Sequence, residues 1–223
     1  MNWFPYVRVV HIVCGMIALF MAPAAMVTVK GSLAHRRWGK IYFWMMAIVA
    51  VTAMYMAVYR PILFLGLVAV FSFYFAFGGY RKVLRKNAGP TAIDWIAAVL
   101  TLVGSMGLIA LGFHPLPGQF MPAPAVSFVF GAFGSFIAAS DIVRFFKPPA
   151  FKKAWLYSHM GGMLGSYIAT VSAFSAVNFK FLPIAIRWLW PSLVGVPAIF
   201  LWVSYLRKQH TQGNKQAVVA VQS

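Results

Sequence analysis

The sequence predicts an all-α fold, a polytopic transmembrane helical bundle of seven helices with its N-terminus outside and its C-terminus cytoplasmic. Three observations lead there. Of 223 residues, 62% are hydrophobic and 9% charged, whereas a water-soluble domain carries about a quarter charged. Seven apolar runs are each long enough to cross a hydrocarbon core of about 30 Å as a helix. The 19 Lys and Arg residues, set against 2 acids, gather on alternate connections between those runs. The net charge of +17 therefore reads as a topology signal. No contiguous basic face or nucleic-acid motif accompanies it, so no nucleic-acid partner is expected. A single cysteine, Cys14, excludes an intrachain disulfide and any multi-cysteine metal site.

In order, the runs cover 7–29, 41–59, 61–79, 93–113, 125–143, 155–178 and 184–206. The first has the basic stretch Lys30 to Lys40 behind it, a stop-transfer signal that argues for a retained helix over a cleaved leader. Pro23 inside it frees a backbone carbonyl and is expected to bend it. The third run is followed by Arg81, Lys82, Arg85 and Lys86, the fifth by Arg144, Lys147, Lys152 and Lys153, the seventh by Arg207, Lys208 and Lys215. Fifteen of the 19 positive residues thus fall on one side, leaving Arg8, Arg60, Lys180 and Arg187 on the other. By the positive-inside rule the fifteen face the cytoplasm. Thr91 and Asp94 resemble a helix-start cap for the fourth run. Trp3, Trp38, Trp44, Trp95, Trp155, Trp188 and Trp190 lie near run ends, as expected of rings at headgroup depth. Residues 1–206 form a single transmembrane domain and 207–223 a disordered cytoplasmic tail. The expected setting is a bacterial-type cytoplasmic (inner) membrane, with anionic lipids drawn to the basic cytoplasmic face. A homo-oligomer or a partner membrane subunit stays open.

The sixth run reads as the central helix. It contains no Lys, Arg, Asp or Glu, and Ser158, Gly162, Gly165, Ala169, Ser172 or Ala173, and Ala176 draw a small-residue stripe at steps of three and four. Beside the stripe sits His159, an ionisable group in an apolar segment, where such groups are costly unless paired or solvated. His35, after the first run, and Asp141, closing the fifth, lie at similar depth. Imidazole and carboxylate suit Zn²⁺ or iron, and two imidazoles can hold a haem iron axially. The candidate site is therefore His159 and His35 as cofactor or metal ligands, with Asp141 as a third metal ligand and haem b or zinc as candidate cofactors. Ser140, Ser158 and Tyr167 are candidates to hydrogen-bond those ligands. Arg144, three residues beyond Asp141, offers that acid a simpler use as an ion pair. His11 and His114 form a second, outer pair, but 24 residues separate His11 from His35, about 36 Å of helix.

These residues favour a membrane-embedded redox or metal-binding protein with a cytoplasmic-side His site. Two alternatives stand beside it. One is a small-molecule or lipid transporter built as a 3+1+3 helix pseudo-repeat, its path lined by Gly131, Gly134, Ser135, Ser166 and Thr170. The other is a zinc-dependent intramembrane hydrolase using the same inner site. No nucleophile elbow, P-loop or GxGxxG pattern is present. At His35-Arg36-Arg37-Trp38-Gly39-Lys40-Ile41-Tyr42, and again from Trp155 to Phe174, the chain resembles bacterial multi-pass membrane proteins classed as a domain of unknown function. The resemblance spans the first two helices and the fifth to seventh. It implies the fold and points to His35 and His159. The later motif departs from the group's pattern, with Met160, Gly161 and Gly162 where a more basic run is expected.

Overall fold

A computed structural model describes the backbone of residues 2–149, 151 and 153–222, and side chains as far as Gln209. Among the described residues there are seven α-helices and no strand. They are α1 Phe4–Val27, α2 Leu33–Tyr59, α3 Leu63–Arg85, α4 Ala92–Phe113, α5 Pro124–Phe146, α6 Ala154–Asn178 and α7 Ile184–Gln222. Each contains a stretch long and apolar enough to cross a membrane, that of α7 being Ile184–Gln209. Their outward surfaces carry Val51, Phe136 and Leu193 at 61–72% exposure, an arrangement that only a lipid solvent tolerates. The chain is a multi-pass membrane protein. The tail expected beyond residue 206 falls mainly past Gln209, outside the described side chains.

Helix starts follow local chemistry. Gly31, at φ +79°, makes the reversal after α1, a left-handed conformation that glycine adopts without a Cβ penalty. Ser32 then caps α2 by accepting from the His35 backbone N–H. Because of that cap, α2 begins at Leu33, well before the apolar run at 41, and His35 is helical rather than in a loop. Thr91 and Asp94 form the expected capping box on α4, each side chain accepting from the other's backbone N–H. α3 and α5 likewise continue past their apolar runs, to Arg85 and Phe146.

Packing gives α3 the middle of the bundle. It lies against α2, α4, α5 and α6, whereas α6, expected at the centre, lies against α1, α3 and α7 and reaches α2 through side chains. An aromatic core of Phe64, Phe71, Phe75, Phe130 and Trp188 joins α3, α5 and α7. Trp188 is thus a core residue 8% exposed, with its ring 5.5 Å from Phe64, and not a headgroup anchor. Ala18, Ala22, Tyr42, Phe43, Met46 and Ala76 fill the junction of α1, α2 and α3. The small-residue stripe of α6 meets α3. A Cβ on Gly162 would lie 2.8 Å from the Gly79 Cα, and one on Gly165 would lie 2.8 Å from the Phe75 ring. Gly131 closes the α4–α5 contact in the same way, 2.7 Å from the Ser105 carbonyl.

The two halves pack differently: the α1 and α2 backbones run close together, whereas those of their counterparts in a 3+1+3 scheme, α5 and α6, stay apart. Of the residues named for a transport path, Gly131 and Gly134 seal against α4 and Ser166 and Thr170 meet Tyr42 of α2, while the Ser135 hydroxyl is buried without a hydrogen-bond partner among the described residues.

Candidate functional site

At the end of the bundle where the basic residues gather, α1 and α3 finish while α2 and α6 begin. That crossing brings His35 and His159 together. Their ring centres are 6.4 Å apart and their planes nearly perpendicular, at 84°. Each ring is half-buried and tied to a main-chain carbonyl. The His35 Nδ1–H donates to Ala25 of α1 at 2.9 Å, and the His159 Nδ1–H donates to Gly79 of α3 at 2.9 Å. A carbonyl oxygen only accepts, so Nδ1 carries the proton in both rings. In the neutral form of such a ring Nε2 is the nitrogen that bears a lone pair. A histidine held by a carbonyl through its other nitrogen is the usual support of a metal ligand.

The carbonyl that orients His159 is accessible because Gly79 has no side chain and α6 is correspondingly close. Here Met163 also packs, one turn beyond His159, its Sδ 3.1 Å from where a Gly79 Cβ would stand.

Asp141 does not join the histidines. Its carboxylate accepts from the Lys82 ammonium at 2.8 and 2.9 Å and from the Tyr74 hydroxyl at 3.0 Å, with Arg144 at 3.5 Å. The expected Arg144 pair is therefore present but peripheral to the Lys82 pair. Among the described residues no three His, Cys, Asp or Glu side chains stand close enough to share an ion. Asp94 is equally committed, accepting from Arg81 at 2.9 Å through each oxygen, with Arg85 at 3.5 Å. Both acids are 3% exposed at the side chain and hold the basic end of α3 to α4 and α5.

Run charge assigns Lys82 only to the basic connection after the third run, and nothing in it singles out Tyr74. The available signal was Tyr74, Gly78 and Lys82 at steps of four, which places all three on one face of α3. Tyr42, the last residue of the His35–Tyr42 motif, has a buried hydroxyl that donates to Ser166 at 2.7 Å. Of the residues expected to support the histidines, Tyr167 packs into the α1–α2–α3 junction, Ser140 is half-buried on α5, and Ser158 faces a cleft on the other side of α6. In the outer pair, His11 is paired with Thr52 at 3.0 Å, and His114 ends α4 in solvent-exposed chain. Just past α1, the Lys30 ammonium donates to the Met26 carbonyl and lies 6.0 Å from the centre of the Trp202 ring. Partial burial pulls its pKa below the ordinary lysine value.

The cleft has a volume of about 760 Å³ and lies between α3, α5, α6 and α7. Its wall is apolar for most of its length, and Lys82, Asp141, Arg144, Ser158 and Arg207 stand at its basic end. Only the α3–α6 glycine seam separates it from the histidine pair. Gly79 accepts from His159, while a Cβ on the neighbouring Gly78 would stand 3.9 Å from Asp141.

Residues 8–91 match the family model described as a predicted membrane protein (DUF2306). The match runs from α1 through α3 to the Thr91 cap, so it contains His35, Gly79 and Lys82 but neither His159 nor Asp141. It covers the first of the two motifs on which the resemblance rests. Comparison with curated proteins and with solved structures finds no match.

Proposed function

We propose that this chain is a membrane-embedded metal-binding protein of redox type, whose ligands are the Nε2 atoms of His35 and His159. The observation that carries the reading is the pair of Nδ1–H donations to main-chain carbonyls, with the rings 6.4 Å apart. Two imidazoles this close would hold an iron or copper ion between them, and nitrogen donors suit either metal. A zinc hydrolase calls for three protein ligands and an open position, and Asp141 is occupied by Lys82. With iron or copper bound, the site would supply one-electron chemistry. The protein's own part is to fix both tautomers and keep the rings half-buried at the basic, cytoplasmic end.

The test is a visible spectrum of detergent-purified protein before and after dithionite, with metal analysis of the same sample. Haem gives a Soret band that shifts on reduction; a bare copper ion gives stoichiometric metal without that band. His159→Gln keeps an N–H donor for Gly79 and should remain folded while losing at least about tenfold in metal affinity, the scale of a lost ligand. A folded sample that is colourless and free of iron and copper would remove the reading.

A further inference from the structure

We infer that the cleft between α3, α5, α6 and α7 is a binding site for one anionic phospholipid. Its headgroup would sit against Lys82 and Arg144, and one acyl chain would lie in the apolar shaft. The cleft exists because α5 and α6, although consecutive in sequence, do not pack on each other. Phe71, Phe75, Phe133, Ile168 and Phe200 form its apolar wall. Its volume of about 760 Å³ lies within the range of about 300–1,000 Å³ in which proteins hold ligands. Ser158 and Ser172 both line it, and the 14 helical steps from one to the other rise about 21 Å, the reach of an extended acyl chain.

Charge selects the occupant. Lys82, Arg144 and Arg207 face a single acid, Asp141, so the mouth carries excess positive charge at one membrane face. Arg144 reaches Asp141 only at 3.5 Å and its side chain is 51% exposed, so most of its donors remain accessible at the mouth. A zwitterionic lipid would fill the shaft equally well but would return no net charge to the mouth. Bulk lipid entering from the side is the competing occupant, and lipid selectivity separates the two.

The experiment titrates delipidated, detergent-purified protein with dioleoylphosphatidylglycerol and with dioleoylphosphatidylcholine, counting bound lipid by native mass spectrometry. The expected result is one phosphatidylglycerol bound about tenfold more tightly than phosphatidylcholine, the scale of one charge-assisted contact. Arg144→Gln should remove most of that preference. Gly161→Leu should abolish the bound lipid, because Gly161 lines the cleft and a Cβ there meets nothing within 4 Å. Ser192→Phe plugs the opposite wall from α7 and serves if the first plug fails to fold. Equal affinity for the two lipids, or full phosphatidylglycerol binding by a folded plug variant, overturns the inference. Metal content should stay unchanged in all three variants, since none touches His35 or His159.

Discussion

Asp141 and Lys82 form a pair in which neither side chain has much water, at 3% and 15% exposure. Such a pair is asymmetric: removing one partner of a buried ion pair costs about 3–5 kcal/mol, whereas replacing both is often neutral. Asp141→Asn should therefore lower thermal stability strongly, and adding Lys82→Met to it should restore most of the loss. Thermal unfolding of the single and double variants in one detergent checks this, and equal losses would mean that Lys82 reaches solvent once freed. The same pair marks the limit of the sequence reading at this scale. Depth along a helix is legible, since His35, His159 and Asp141 all fall near one set of run ends. Azimuth is not legible in helices whose polar residues are so few, so the spacing could not say that Asp141 faces Tyr74 and Lys82 while His159 faces Gly79 and His35.

Two adjacent glycines test the α3–α6 contact as an element. Gly162 has the Gly79 Cα 2.8 Å from where its Cβ would be, and backbone cannot rotate away, so Gly162→Ala must push α3 and α6 apart. Overpacking of that kind costs about 1–3 kcal/mol. The displacement also stretches the bond from His159 to Gly79, so metal retention should fall together with stability. Gly161→Ala meets nothing within 4 Å and gains helix propensity of up to about 1 kcal/mol, so it should be neutral or slightly stabilising. Thermal unfolding and metal analysis of the two variants decide the matter; similar behaviour would show that the helices do not rely on this contact. The stripe that includes Gly162 and Gly165 was legible as a close-approach surface, but the identity of its partner was not. Any neighbour accepts a small-residue face, and only the matching Gly78–Gly79 pair of α3, in an otherwise bulky helix, hinted at which one. Helix starts were missed for a different reason. Polar turns such as His35 to Lys40 lie outside an apolar window, yet the Ser32 cap makes them helical.

At the scale of the whole molecule, seven spans follow from run length, because backbone polar groups in lipid leave few options besides helix. Their arrangement does not: in the alternative 3+1+3 scheme α5 and α6 correspond to the closely packed α1 and α2, yet a cleft keeps their backbones apart. Orientation is set by charge rather than packing. The ends of α1, α3 and α5 and the starts of α2, α4 and α6 meet at one face, joined by Lys82 to Asp141, Arg81 to Asp94 and His159 to Gly79. Lys and Arg beside short loops resist translocation, so the face where they gather should stay in the cytoplasm. A reporter active only in the cytoplasm should work when fused after Gln209, and one active only outside should work when inserted at Gly118. The opposite pattern would invert the topology and place the histidine pair at the outer face. The first basic connection should carry most of this bias, because Arg36, Arg37 and Lys40 follow the first helix to be inserted. Replacing those three by Gln removes three of that connection's four charges, Lys30 staying, while leaving the Ser32 cap and His35 in place, so a mixed reporter signal is expected from a chain still able to build its site. An unchanged signal would mean that the later basic clusters, from Arg81 onward, are enough to hold the orientation.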